Sequence, residues 1–526
     1  MSTQLYLLHQ SLDVSAAKFP DKLAFKSGKH AVSYSEMHKK SGQLARLLIE
    51  LGVKKGDRVG IYTNRSLESV IGVYGILRAG AIFVPLDPTA PDKRTLFLIQ
   101  DCGIQYLISQ SAQRKKLARL LQHTPPLRYI LGLMADWEVP CIDWQDIWAM
   151  PELSHPIRMV EKDLAYIMYT SGSTGQPKGI MHSHFSGLRY ARMSADLYEV
   201  HEEDLIGTHA PLHFDISTFG YFTAPLVGAT SVIIPDAYII LPASLSQLIE
   251  KEALSIWYSV PLALIRLLTR GVLDQRDLSS LRWVLFGGEP FPVKHLKALM
   301  ELWPHARFSN VYGPAEINQC TYYHLPAPPS EEESIPLGTL CANTEMRILD
   351  EHDQPVRPDE TGELLVRTST MMTAYWNQPH LTQQGFYIEE PHPGYQETFY
   401  RTGDLVRINE KGDLMFLGRK DRQVKLKSYR VELDEIEAVL VAHEAVEEAA
   451  IVAIRKEDSL HIEGAVIMKV GDKVNEASLL NHMSQYVPSY AVPEQIHILQ
   501  TLPYTTSGKI NYPVLAEQVS MTQEST

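Results

Sequence analysis

The chain has 526 residues, of which 45% are hydrophobic and 21% charged, with a formal net charge of −13. That length exceeds one compact core and predicts two to four domains. The acidic balance argues against nucleic acid or an anionic membrane as main partner, but not against a small anion held by local groups. The four cysteines, Cys102, Cys141, Cys320 and Cys341, are widely spaced and form no CxxC pair. Neither a disulfide framework nor a zinc site is indicated, and reduced thiols are expected. The N-terminus lacks a basic leader followed by a long apolar core, and no run approaches the ~20 apolar residues of a membrane span. A soluble, cytoplasmic protein is expected.

In chain order, the first twenty residues read as an amphipathic helix. SEMHKKSGQLARLLIELG (35–52) has apolar positions at helical spacing and ends in Gly52. DRVGIY (57–62) reads as a short buried strand, SLESVIGVYGILRAG (66–80) as a helix and AIFVPLD (81–87) as a strand again. The alternation recurs at IQYLIS, AQRKKLARLLQ and LRYILGL, and later at LSQLIEKEALSIWYSV and SSLRWVLFGGE. Repeated βα units predict an α/β fold with parallel-rich sheets covered by helices, in which ligands bind at the carboxyl ends of strands. No fixed-period repeat is visible, so a solenoid is not indicated. Near residue 418 the chain becomes highly charged, then predicts a helix from about Asp434, strands at EEAAIVAI and IEGAVIMKV, and a helix at EASLLNHMSQYV. The expected organisation is a large N-terminal core (1–418), a hinge (419–423) and a small α+β domain (424–526).

After the strand-like LAYIMY comes TSGSTGQPKG (170–179). Its glycines let backbone N–H groups approach an anion. Ser171, Ser173 and Thr174 add hydroxyl donors, and Lys178 adds a point charge. The spacing is not that of a P-loop, because Pro177 precedes the lysine and Gly179 follows it. On composition alone, phosphate binding and a flexible turn remain equal readings.

The string YTSGSTGQPKG closely resembles the phosphate-loop signature of the adenylate-forming superfamily, which comprises acyl-CoA synthetases, luciferases and the adenylation domains of nonribosomal peptide synthetases. ILRAGAIFVPLDP (76–88), HFDIS (213–217), FGGEP (286–290), NVYGPAE (310–316), GELLVRTSTMMTAYWN (362–377), YRTGDL (400–405), GRKDRQVKLKSYRVELDEIE (418–437) and SGKI (507–510) follow in that family's order. The resemblance implies a large parallel-rich N-terminal domain, a small mobile C-terminal domain, and ATP with Mg2+ as cofactors.

It also implies a chemistry: a carboxylate and ATP give an acyl-AMP and pyrophosphate. Two anions must meet, so neutralisation and alignment matter more than a covalent nucleophile. By resemblance, Thr170, Ser171, Gly172, Ser173, Thr174, Gly175 and Lys178 hold the triphosphate, and Glu316 is the magnesium-associated carboxylate. Gly288, Glu289, Asn310, Tyr312 and Gly313 map to the adenine site, Asp404 and Arg419 to the ribose hydroxyls. Lys509 maps to the mobile catalytic lysine and Asp421 to the hinge. Among departures from the pattern, Ala315 stands where many relatives carry threonine, Ser428 replaces a common glycine, and Asn511 and Tyr512 replace a frequent Asp-Arg. His182 and His184 form an H-x-H pair without acidic or cysteine neighbours in sequence, and read as structural.

Asp215 in HFDIS points to the substrate. In amino-acid-activating members an aspartate here pairs with the α-ammonium, whereas a buried carboxylate without a cation is costly; a helix-capping role is the alternative. The same resemblance projects Ile216, Phe219, Tyr258, Leu285, Gly287, Val311, Gln319 and Cys320 around the side chain. None is an ionised acid or base, so a neutral, compact substrate is expected. The set resembles that of stand-alone enzymes loading L-proline, with alanine or valine as alternatives. No LGG[DH]S string is present, so the expected acceptor is the phosphopantetheine thiol of a separate carrier protein, with coenzyme A as alternative. An acyl- or aryl-CoA ligase and a catalytically silent binding protein are the competing readings.

Overall fold

Short apolar strands alternating with amphipathic helices build the first part of the chain. The computed structural model describes residues 4–153, 155–172, 176–330, 332–357, 359–426, 429–456, 459–469, 474–505 and 509–523. These divide into two compact units. One comprises Met1–Pro88, Ile99–Met168 and Gly179–Lys420; the other comprises Thr89–Leu98, Tyr169–Lys178 and Asp421–Thr526.

In the larger unit one sheet runs, among the described residues, in the order Ala374–Tyr375, Lys178–Ser183, Leu164–Thr170, Ile82–Pro85, Arg58–Tyr62, Tyr106–Ser109, Tyr129–Leu131, Cys141–Ile142. From Leu164–Thr170 to Cys141–Ile142 the neighbours are parallel. A second sheet places Arg307–Tyr312, Trp283–Gly287, Ile256–Ser259, Leu205–Thr208, Thr230–Ile233 and Leu23–Ser27 side by side in parallel, with antiparallel strands at both edges. The expected parallel-rich α/β architecture is present.

The helix Tyr34–Glu50 starts where the sequence provides a capping box: the Ser33 hydroxyl accepts from the Glu36 N–H, and the Glu36 carboxylate accepts from the Ser33 N–H. Gly52 follows its end with φ +96°, a conformation glycine adopts without steric cost. Helix Leu67–Arg78 is buried at every position except Glu68. The largest apolar cluster joins both helices to Phe25 and Ile233 of one sheet and to Ile61, Phe83 and Tyr166 of the other. Burial on all sides explains the near-continuous apolar character of Leu67–Arg78, whereas Tyr34–Glu50 keeps an exposed polar face at Ser35, Glu36, Lys39 and Glu50.

The antiparallel sheet of Thr344–Leu349, Gly362–Thr368, Phe386–His392, Tyr395–Ile408 and Leu414–Arg419 was not apparent from the alternation. The smaller unit holds the hairpin Gln423–Leu426/Tyr429–Glu432, the helix Leu433–Val441, and a sheet of Val446–Lys456, Ser459–Met468 and Ile496–Ile498. Helices Leu433–Val441 and Glu476–Met483 cover one face of that sheet through Ile436, Leu440, Leu479 and Met483. Helix Tyr512–Gln523 covers the other through Leu515 and Val519. Among the described residues no helix is long and apolar enough to cross a membrane.

Candidate functional site

Four of the projected substrate residues, Tyr258, Leu285, Gly287 and Val311, lie on neighbouring parallel strands. In register, Tyr258 faces Leu285, and Gly287 faces Val311. Phe219 opens a wide helical turn, Phe219–Thr223, that follows Asp215. Phe219, Tyr258, Leu285 and Val311 pack in one apolar cluster, with Ile216 against it. The Phe219 and Tyr258 rings meet edge to face at 5.7 Å and 87°. At Gly287 a Cβ would lie 2.2 Å from the Val311 carbonyl oxygen, so adjacent backbone excludes any side chain there. Asp215 is half-buried, and its carboxylate accepts the Ile216 N–H at 2.9 Å. Its negative charge reaches three buried tyrosines, Tyr166, Tyr190 and Tyr258, whose phenols burial has already pushed up. Gln319 is buried and donates from Nε2 to the Tyr198 hydroxyl at 2.9 Å. Cys320 packs in a different cluster, around Ile317 and Leu337, and its Sγ faces the Tyr312 carbonyl at 3.6 Å. Burial, with the neighbouring Cys341 and Asp404, holds its thiol protonated.

Three projected nucleotide residues form one hydrogen-bonded chain. The Tyr312 hydroxyl donates to one oxygen of Asp404, and Arg419 donates to the other. Asp404 and Arg419 are cross-strand partners of the antiparallel sheet, which explains how residues on separate motifs meet. Burial and the Asp404 charge hold the Tyr312 phenol well above its usual range. Asn310 donates to the Pro336 carbonyl at 2.8 Å. Gly288 takes φ +95°, and Glu289 accepts the Leu262 N–H at 3.0 Å, securing the start of helix Pro261–Arg270. At Gly313 a Cβ would lie 2.2 Å from the Asn318 carbonyl.

Glu316 is fully buried and accepts the Tyr375 hydroxyl at 2.7 Å. One such carboxylate suits a cation that draws its remaining ligands from phosphate and water, as magnesium does. No cluster of three or more metal-ligating side chains occurs among the described residues. His182 stacks on Tyr166 at 4.8 Å and bonds through Nε2 to the Ala315 carbonyl; burial pulls its pKa down to about 4. His184 is likewise buried, pulled down to about 3. Both are neutral core histidines.

The loop lies between strand Leu164–Thr170 and strand Lys178–Ser183, not between a strand and a helix, and Tyr169–Lys178 is counted with the smaller unit. Ser173, Thr174 and Gly175 lie outside the described residues, as does Ser428. Ser171 donates to the Arg430 carbonyl at 2.7 Å, and the Gly172 N–H donates to Glu435 at 3.1 Å. Arg94 pairs with the other oxygen of Glu435, and the buried Lys178 lies 3.6 Å from Glu432. Two carboxylates thus stand against groups expected to hold phosphates. At Gly172 a Cβ would lie 1.9 Å from the Gln176 carbonyl, so the loop backbone closes on itself there. Asp421 accepts the Gln423 N–H at 3.2 Å and begins the last segment of this unit. Lys509 is exposed; its carbonyl accepts the Thr505 N–H at 2.7 Å.

Sequence reasoning passed over Tyr166, Tyr190, Tyr198 and Cys341 around the substrate residues, and Glu432 and Glu435 beside the loop. The tyrosines carry no signal beyond an apolar helical or strand pattern. The glutamates lay within a quoted motif, but nothing in it pointed to the loop.

A family model described as AMP-binding enzyme matches residues 12–376, and one described as AMP-binding enzyme C-terminal domain matches residues 435–509. Over 98% of its length the chain is 31% identical to an L-proline--[L-prolyl-carrier protein] ligase of Pseudomonas fluorescens, 99% of which it covers. It is 31% identical over 97% of its length to bacitracin synthase 1 of Bacillus licheniformis, spanning 9% of that protein. Among solved structures, amide bond synthetase McbA from Marinactinospora thermotolerans superposes with a TM-score of 0.84 at 22% identity, covering 97% of this chain and 99% of that one. NpsA-ThdA, a fused adenylation–PCP di-domain from Klebsiella oxytoca, gives 0.78 at 24% identity, covering 100% and 98%. At those identities the two structures speak for the fold.

Proposed function

The chain belongs to the AMP-binding enzyme family, as an AMP-forming amino acid ligase, and from that premise we propose that it activates L-proline and passes it to the phosphopantetheine thiol of a carrier protein. The carrying observation is the Asp215 carboxylate, whose charge reaches Tyr258, next in sequence to Ile216, which packs against the apolar cluster of Phe219, Tyr258 and Leu285. A secondary ammonium on a compact apolar ring answers both features. The full-length likeness to a proline-carrier ligase supports the same reading.

In the first step a substrate carboxylate oxygen bonds to the α-phosphorus of ATP, the bond from that phosphorus to the bridging oxygen breaks, and pyrophosphate leaves. In the second a thiol sulfur bonds to the carbonyl carbon and AMP leaves, the thiol proton passing to solvent. Asp215 holds the ammonium and so fixes where the carboxylate points. Tyr312, Asp404 and Arg419 offer a preorganised surface for adenosine, and Lys178 supplies positive charge at the loop. Magnesium, held by Glu316 with phosphate oxygens, would neutralise the triphosphate. By the family's pattern Lys509 is a further cation of the reaction and Asp421 the hinge residue.

The test is amino-acid-dependent ATP–pyrophosphate exchange across the twenty amino acids, with cyclopentanecarboxylate as a proline shape lacking nitrogen. Transfer to phosphopantetheinylated carrier protein and to coenzyme A is then followed by mass spectrometry. Strong exchange with L-proline and loading of the carrier are expected. Exchange with acids lacking an amino group, or thioester formation with coenzyme A only, overturns the reading.

A further inference from the structure

We propose that Tyr198 is a positioning residue of the amino acid pocket, acting through Gln319 and Phe219 to set which side chains are accepted; this rests on the substrate site described above. Tyr198 follows helix His184–Leu197, is fully buried, and is none of the residues that the motifs project. Its hydroxyl receives the Gln319 Nε2–H bond across 121 positions of sequence. Ser309 lies beside the same hydroxyl and bonds in turn to His324 Nδ1 at 3.0 Å. Its ring stands edge-on to Phe219 at 6.0 Å and to Trp283 at 5.5 Å. One side chain therefore fixes two walls by two different means, an amide by hydrogen bonding and a phenyl ring by packing.

The hydroxyl is what makes this specific. Gln319 is 1% exposed, so its amide cannot turn to water. Held on Tyr198 it keeps one orientation; without that acceptor a buried donor is stranded, and the side chain rotates to find another. Such a rotation changes the pocket wall while leaving the Tyr312–Asp404–Arg419 chain untouched. The expected signature is a change in amino acid binding separate from nucleotide binding and from turnover.

The experiment compares Tyr198→Phe, Gln319→Leu and the double variant by exchange kinetics with L-proline, alanine and valine. Tyr198→Phe should raise KM for proline about tenfold, the upper share of a stranded buried donor. Its kcat and its KM for ATP should stay within about twofold of wild type. The double variant should recover most of the lost affinity, because both polar partners are then gone. An unchanged proline KM in Tyr198→Phe overturns the proposal. So does a loss of kcat with both KM values intact, which marks a smaller folded fraction, or a double variant no better than the single. If wild-type exchange requires another amino acid, KM for that substrate is the readout, so the proline reading falls alone. Exchange with none overturns both.

Discussion

Replacing Asp215 with asparagine removes one charge and almost no volume. At about 4 Å an ion pair is worth ~4 kcal/mol at the effective dielectric of a protein edge and ~1 kcal/mol in water. Asp215 is half-buried, yet its surroundings are Phe219 at 1% and Tyr258 at 7% exposure. The value therefore falls between those limits, at roughly 2–3 kcal/mol, or a ~30- to ~150-fold loss in kcat/KM. Exchange measured with L-proline should fall by that factor in Asp215→Asn, while any residual exchange with cyclopentanecarboxylate should hold or rise. The difference between the two acids is the informative quantity, since a damaged fold lowers both. Proline exchange within threefold of wild type, or equal losses for both acids, refutes an ammonium at Asp215.

Gly287→Ala would drive a methyl group to 2.2 Å from the Val311 carbonyl oxygen; strand separation there should cost about 1–3 kcal/mol, seen as a lowered Tm and lost exchange with every amino acid. Glu435→Gln weakens the acceptor on the Gly172 N–H, and KM for ATP should fall about three- to tenfold with the amino acid KM unchanged. Buried His182 and His209, held by desolvation at about 4 and about 3 against an ordinary 6.5, stay neutral where the unfolded chain takes up protons. Unfolding then binds protons below about pH 6.5, so Tm should be flat above that pH and fall steadily toward pH 4. In His182→Gln that slope should be shallower whatever its Tm at pH 8.

The βα alternation was legible because each element carries its own signal: helix Tyr34–Glu50 its capping box, Arg58–Tyr62 and Ile82–Pro85 their short apolar runs. The antiparallel sheet was not, because its long strand Tyr395–Ile408 buries Phe399 and Tyr400 in succession and then places polar Thr402 and Asp404 at buried positions while Leu405 is only half-buried, which breaks the apolar-in, polar-out pattern. The motifs supplied Tyr312, Asp404 and Arg419 one by one. Only the pairing of Asp404 with Arg419 shows that they share hydrogen bonds. Tyr198 stayed hidden because, one residue past a helix end, it reads as ordinary core. Its bond to Gln319 depends on tertiary placement that no local pattern encodes.

The Gly172 N–H can serve one oxygen at a time, and Glu435 holds that place, steadied by Arg94. The chain thereby carries its own competitor for any anion arriving at the loop, at a local concentration fixed by covalent tethering instead of by solution. Dilution cannot weaken that competitor, and added nucleotide displaces it only by differential affinity. On the function proposed above, occupancy of the loop by ATP would depend on the ratio of two anions, one of them the tethered Glu435.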